Sequence, residues 1–135
     1  MSIRIQVLLV EDDEISAQAA RTLLERLGCV VDHAIDGAEA IDLFGGGSYD
    51  LILMDGQMPQ MDGLETTAKI RDMAQGWVTP IIGTSSNLSR VQCLDAGMND
   101  IMPKPFLLSA LKMTLAKWTL WEDDVTGGIY ARLSL

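Results

Sequence analysis

The sequence is poor in basic charge. It carries 10 Lys and Arg against 19 Asp and Glu in 135 residues, a formal net charge of −9. That balance excludes a general nucleic-acid binder, which needs a basic face to displace counterions from phosphates. No run of 18 apolar residues occurs, so no membrane-spanning helix is offered. The start, Met1-Ser2-Ile3-Arg4, lacks the apolar stretch of a signal peptide, and cytoplasmic residence is the economical expectation. There are only two cysteines, Cys29 and Cys93, far apart in apolar surroundings. They read as buried free thiols, and their spacing builds no metal framework. The one histidine, His33, lies in an apparent strand and reads as a structural or surface residue rather than a ligand. Apolar residues, by contrast, are plentiful: 48% hydrophobic against 21% charged, a composition that argues against disorder. The length suits one domain, able to bury a core without disulfide or metal staples.

Hydrophobic patterning alternates between two periods. Ile5 to Val10 is a short apolar run, followed at once by Glu11, Asp12, Asp13 and Glu14. Ile15, Ala19, Leu23 and Leu27 then recur every four residues, which is helical spacing, and Gly28 stops the helix. Asp13 and Glu14 suit the start of that helix, where free N–H groups and the dipole favour acids. Cys29 to Ala34 reads as a strand, and Ala38 to Phe44 as a helix shut off by Gly45-Gly46-Gly47. Leu51 to Met54 is a buried-strand run ending at Asp55. A helix over 63–74 follows, with Leu64, Ala68 and Ile70 expected on its inner side. Pro80 to Thr84 reads as a strand, Leu88 to Ala96 as a short helix, Ile101-Met102 as a very short strand and Phe106 to Trp118 as the last helix. Pro103, which cannot donate a ladder hydrogen bond, points to an edge for the fifth strand.

Five strand–helix repeats with short connections predict an α/β domain, a doubly wound five-stranded parallel sheet with helices on both faces. In such sheets function gathers at the carboxyl ends of the strands. Glu11 and Asp12 follow the first strand, Asp55 the third, Ser85 the fourth, and Lys104-Pro105 the fifth. Three carboxylates, a hydroxyl and an ammonium are therefore expected on one edge. Carboxylates so crowded must either gain protons or share a cation. A hard divalent ion such as Mg2+ fits, because it takes oxygen ligands and keeps several waters. Beside it, Asp55 could attack a phosphoryl group and form an aspartyl-phosphate, with Lys104 and Ser85 contacting the phosphoryl oxygens.

Four segments carry a resemblance: Leu8 to Asp13 (LLVEDD), Met54 to Gly63 (MDGQMPQMDG), Pro80 to Asn87 (PIIGTSSN) and Gly97 to Phe106 (GMNDIMPKPF). In this order they resemble the receiver domain of two-component response regulators, including those fused to hybrid histidine kinases. The resemblance implies a flavodoxin-like sheet of order 2-1-3-4-5 and Mg2+-dependent phosphoryl transfer from a histidine kinase or a histidine phosphotransfer domain. It implies Asp55 as phosphoacceptor, Glu11, Asp12 and Asp55 as metal ligands with the backbone carbonyl of Gln57, Ser85 as the switch hydroxyl, and Lys104 as the phosphate-pairing lysine. It also implies a cis peptide before Pro105, and a role for Gln57 and Asn87 in shaping water access to the phosphate. Ile101 occupies the switch position where the family usually carries Tyr, Phe or His, and cannot make the same polar or aromatic move. The interval from Ser85 to Lys104 is 19 positions, shorter than the family's usual one, and the shortening falls in the loop or helix after the fourth strand.

The expected function is thus a phosphorylatable receiver module that signals through a downstream protein by conformational change, catalysing only its own phosphoryl acceptance and loss. The alternative is an interaction module of the same fold that acts without phosphorylation, whose hallmark would be a missing acid, lysine or phosphoacceptor; none is missing. A Mg2+-dependent phosphatase with an aspartyl nucleophile would place an acid two residues after it, and Gln57 cannot serve. Residues 1–120 are expected to form the domain, with 121–135 a tail or linker and no DNA-binding output in the chain.

Overall fold

The computed structural model of the chain describes residues 4–85 and 87–123. Its order is β1 (Gln6–Val10), α1 (Glu14–Arg26), β2 (Val30–Ala34), α2 (Gly37–Gly46), β3 (Leu51–Met54), α3 (Gly63–Arg71), β4 (Ile81–Gly83), α4 (Arg90–Ala96), β5 (Asp100–Ile101) and α5 (Leu108–Trp118). The five strands form one parallel sheet in the order β2-β1-β3-β4-β5. β1 and β3 lie inside it, and from Val7 to Val10 and from Leu51 to Met54 every residue is buried. That is why both read as continuous apolar runs instead of alternating ones.

The strands divide the core in two. Val7, Leu9, Leu51, Leu53 and Ile82 point toward α1 and α5, meeting Ala17, Ala20, Leu24, Leu111 and Leu115. Leu8, Val10, Ile52, Met54 and Ile81 point the other way, meeting Ala40, Phe44, Ile70, Cys93 and Met98. Cys29 and Cys93 are buried free thiols, one in each layer. Burial pushes Cys29 up to about 11 and raises Cys93 as well, so both stay protonated and inert at neutral pH.

Three of the nineteen acids start helices. Asp13, Asp36 and Asp62 each accept a hydrogen bond from the backbone N–H three residues on, in α1, α2 and α3. Ser89 and Gln92 form a reciprocal capping box at α4. α4 is only seven residues long, and the short Ser85–Lys104 interval runs through it.

Several local expectations need correction. The four-residue recurrence marks α1 rightly as a helix, but its buried residues are Ala17, Ala20 and Leu24, while Ile15 is 80% exposed. Ala68 of α3 is exposed; Thr66, Thr67, Ile70 and Arg71 are the buried residues there, with Leu64 packed part-way in. α2 continues through Gly45 and Gly46 before Gly47 ends it, its last turn lying against Met73 just past α3, which a side chain on Gly45 would meet. α3 stops at Arg71, not near Ala74, because the Arg71 side chain binds the loop that follows, at Gly76 O and Thr79 O. β5 ends before Met102, so Pro103 lies just outside the edge strand rather than in it. After α5 the chain stays packed: Trp121 is buried and its Nε1 donates to Leu27 O at 2.8 Å, and Asp123 pairs with Lys112 at 3.2 Å. The rest of the expected tail lies outside the described residues.

Candidate functional site

β1 and β3 are neighbours in register, with Val10 opposite Met54. The residues that follow them, Glu11 and Asp55, are therefore brought side by side by the sheet itself. The Asp55 N–H donates to Val10 O at 3.0 Å, carrying the ladder one residue beyond the strands. Glu11 is held from the other side: its N–H donates to Ala34 O at 3.0 Å, and His33 Nε2 lies 2.7 Å from Glu11 O. His33 thus has the structural role expected of it, fixing the backbone that carries the first acid.

Carboxylate oxygens of Glu11, Asp12 and Asp55 all lie within 4.8 Å of one another. Glu11 and Asp55 are buried, and Asp12 is exposed at the mouth. Lys104, delivered by the loop after β5, hydrogen-bonds Glu11 Oε1 and stands 3.6 Å from Asp55 Oδ2. Its peptide bond to Pro105 is cis. The Gln57 N–H donates to Asp55 Oδ1 at 3.2 Å.

With every group ionised, three carboxylates against one ammonium leave two negative charges in a small volume. Burial, together with the hydrogen bond and the repulsion from Glu11, pushes Asp55 up from 3.8 to about 7, against the pull of the Gln57 N–H and Lys104. Burial alone would depress Lys104, but Glu11 and Asp55 outweigh it and hold the ammonium above its ordinary value. The cluster is short of positive charge, and its donor set is all oxygen. Those two properties suit a hard divalent cation held by Glu11, Asp12 and Asp55.

Two glycines let the surrounding backbone close in. A side chain on Gly63, at the start of α3, would sit 2.1 Å from Asp55 O. One on Gly56 would strike Leu88 at 2.3 Å and Ser85 Cβ at 2.9 Å. Ser85 is thereby packed beside the residue that follows Asp55, half-buried, with its Oγ accepting from the Asn87 N–H at 3.2 Å. The neighbouring hydroxyl residue, Thr84, is buried just past β4, where its N–H donates to Met54 O. Asn87 Nδ2 donates to Gln57 Oε1 at 2.9 Å, a bridge across the rim of the site. Ile101 is half-buried at the sheet edge and packs on the layer containing α2, α3 and α4. Glu11, Asp12, Asp55, Gln57 and Lys104 are thus gathered in one cluster. Ser85 adjoins it through Gly56, and Ile101 lies at the neighbouring edge. The Gln57–Asn87 bridge has one trace in the sequence, since each lies two residues past a strand-end group.

A parallel 2-1-3-4-5 sheet with an acidic cluster and a lysine at its carboxyl edge defines a doubly wound α/β domain with an oxygen-lined candidate cation site. The response regulator receiver domain family matches residues 7–116, and the chain belongs to that family. The aerobic respiration control sensor protein ArcB of Escherichia coli is 36% identical over 123 residues, 89% of this chain and 16% of that protein. The crystal structure of the receiver domain of sensor histidine kinase PA1611 from Pseudomonas aeruginosa, with a magnesium ion coordinated in its active-site cleft, matches with a TM-score of 0.80 at 35% identity, covering 86% of this chain and 98% of that one. A chain of the co-crystal structure of the Saccharomyces cerevisiae phosphotransfer protein Ypd1 with the receiver domain of Ssk1 matches with a TM-score of 0.77 at 28% identity, covering 85% of this chain and 88% of that one. The chain spans between 6% and 22% of the length of several curated relatives it matches. Among the described residues no helix is long and apolar enough to cross a membrane.

Proposed function

We propose that this receiver domain accepts a phosphoryl group on Asp55 from a phosphohistidine donor, a histidine kinase or a histidine phosphotransfer domain, with Mg2+ bound, and passes the signal to a downstream protein. The observation that carries this reading is the gathering of three carboxylates within 4.8 Å, with the Lys104 ammonium in contact with two of them. Glu11, Asp12 and Asp55, with the backbone carbonyl of Gln57, would hold the ion. Bound there, Mg2+ supplies positive charge against the oxygens of the transferring phosphoryl group. An Asp55 carboxylate oxygen attacks phosphorus as the P–N bond breaks, and the electron pair returns to the donor's imidazole. Lys104 pairs with one phosphoryl oxygen and Ser85 Oγ–H donates to another. Gln57 and Asn87, bridged to each other, limit the approach of the water that would hydrolyse the product.

The test is incubation with a small phosphodonor and Mg2+, read by intact mass. One labile phosphoryl addition is expected, suppressed by a chelator. Folded protein that gains no mass under these conditions would overturn the reading and favour an interaction module that works without phosphorylation.

The donor's landing surface follows from the same edge. Ile15, in the first turn of α1, is 80% exposed, and Leu107 and Leu108, entering α5, are 63% and 42% exposed. Both helix starts lie at the carboxyl edge of the sheet, beside the acids. An apolar patch there suits docking of a protein donor. Ile15→Asp is expected to slow transfer from a protein phosphohistidine donor by about tenfold or more. The rate with a small donor, which needs no docking, should stay unchanged; equal slowing of both would count against this surface.

A further inference from the structure

Of the three acids at the site, Asp12 is the one the fold holds least. Glu11 is buried, and its carboxylate is tied on both oxygens: Lys104 donates to Oε1, and the Asp13 N–H donates to Oε2 at 3.2 Å. Asp55 is buried too, with the Gln57 N–H on Oδ1 and the Lys104 ammonium 3.6 Å from Oδ2. Asp12 is exposed, and among the described residues its carboxylate has no hydrogen bond or ion pair. That carboxylate still lies within 4.8 Å of the other two. Its position rests on the backbone that carries it.

The chain leaves the sheet at this point. β1 ends at Val10, opposite Ala34, the last residue of β2. The Glu11 N–H still reaches Ala34 O, but its carbonyl lies beyond the end of β2, and among the described residues no backbone N–H donates to it. The half-buried His33 ring takes that place, with Nε2 2.7 Å from Glu11 O. A carbonyl oxygen can only accept, so Nε2 is the nitrogen that carries the proton. The Glu11 carbonyl shares its peptide unit with the Asp12 N–H. That unit is planar, so holding its oxygen fixes where the Asp12 Cα sits and narrows the directions open to its side chain.

We propose that His33 is a positioning residue for the cation. By donating to Glu11 O it holds the Glu11–Asp12 peptide so that the exposed Asp12 carboxylate stays turned toward Glu11 and Asp55, and it thereby sets the affinity for Mg2+. The proposal rests on the reading of this trio as the Mg2+ site, and it requires no contact between ring and ion. Glu11 and Asp55 are held by burial and by several partners, so the ring's influence falls on Asp12. A ligand already in place loses less freedom when the ion arrives. Groups that orient a metal's ligands by hydrogen bonds are worth roughly 10- to 100-fold in affinity. The lower end, about tenfold, applies to a ring that steers one acid through the backbone.

Mg2+ titrations of the full chain, followed by amide NMR shifts, test this. The parent should show saturable shifts at Asp12 and Asp13. His33→Leu, which keeps an apolar body but has no donor, should raise the Mg2+ Kd by about tenfold. His33→Gln, whose side-chain amide can donate to the same carbonyl, should stay within about threefold of the parent. A merely structural histidine would shift the unfolding midpoint in chelator and leave Kd alone, so equal Kd in His33→Leu and the parent overturns the proposal. So does a His33→Gln chain that binds as weakly as His33→Leu, because the ring's bulk would then matter and not its donor. The parent also carries a test that needs no variant: its imidazole 15N spectrum should place the proton on Nε2, and the Nδ1–H form would overturn the donor role. A parent that binds no Mg2+ is a different failure, which overturns the reading of the trio itself and the proposal with it.

Discussion

Asp55→Asn should take up no phosphoryl group and, without metal, should be more stable than the parent at pH 8 by about 2–3 kcal/mol. The first effect follows from loss of the nucleophile, since an amide oxygen cannot form the aspartyl-phosphate. The second follows from the electrostatics of the trio. In the folded chain Asp55 is raised from 3.8 to about 7, first by burial and then by Glu11. A carboxyl whose folded value is raised binds its proton more tightly in the native state than in the unfolded one. Stability is therefore fully present below about pH 4 and is lost as the pH climbs through about 7. The lift corresponds to about 4 kcal/mol at 1.36 kcal/mol per tenfold, and structural relaxation in the folded state reduces what is measured. Denaturant titrations of the two proteins at pH 4 and pH 8, in chelator, check the sign. The curves should lie close together at pH 4 and separate at pH 8 with the variant higher. Saturating Mg2+ should then raise the parent more than the variant, because only the parent offers the third carboxylate. A variant no more stable than the parent at pH 8 would mean that Lys104 already neutralises the cluster.

This tension between stability and charge explains why the site was legible in the sequence. A carboxylate at the end of a fully apolar strand has no structural reason to be there, and three such acids converge only if the strands are neighbours in a parallel sheet. The runs Val7–Val10 and Leu51–Met54 are buried on both faces, so they could be read as central strands without knowledge of their partners. Helix faces were harder. Ile15, Ala19, Leu23 and Leu27 make a convincing stripe, yet α1 buries Ala17, Ala20 and Leu24 fully, with Leu23 and Leu27 packed only part-way against the same layer. Ile15 stays outside, and periodicity alone cannot tell which apolar residues of a helix are buried. The Trp121–Leu27 hydrogen bond was equally hidden, since a tryptophan past the last helix looks the same in a tail as in a core.

Arg71 is the clearest case of a determinant that composition conceals, and its removal should cost the fold most. An arginine in the last turn of an amphipathic helix ordinarily lies in solvent, and the expected helix ran on past it. Here it is 4% exposed. Its Nε donates to Gly97 O at 2.9 Å, Nη1 to Gly76 O at 2.5 Å and to Thr79 O at 2.7 Å, and Nη2 to Asn99 Oδ1 at 2.8 Å. Asn99 Oδ1 in turn accepts from the Ile81 N–H at 2.8 Å, tying the cluster to β4. The guanidinium therefore replaces a continuing helix. It gathers the loop before β4 and the turn after α4 around one planar set of donors, and α3 ends where that loop begins. Burial lowers its pKa, and among the described residues it forms no ion pair; carbonyl dipoles and the face of the Trp77 ring, 5.7 Å away, stand against the charge. Arg71→Met keeps much of the apolar stem and leaves three carbonyl oxygens without this donor, while Asn99 Oδ1 keeps only the Ile81 N–H. At about 1–3 kcal/mol for each buried group left unsatisfied, and with loop relaxation recovering part, the expected loss is about 3–5 kcal/mol. Arg71→Lys should recover little, because a single ammonium cannot span acceptors on two segments with the reach of a planar fork. Chemical denaturation read by far-UV circular dichroism decides the matter. A Lys variant as stable as the parent would show that charge alone holds this corner, and a Met variant within about 1 kcal/mol would show that the loops close without it.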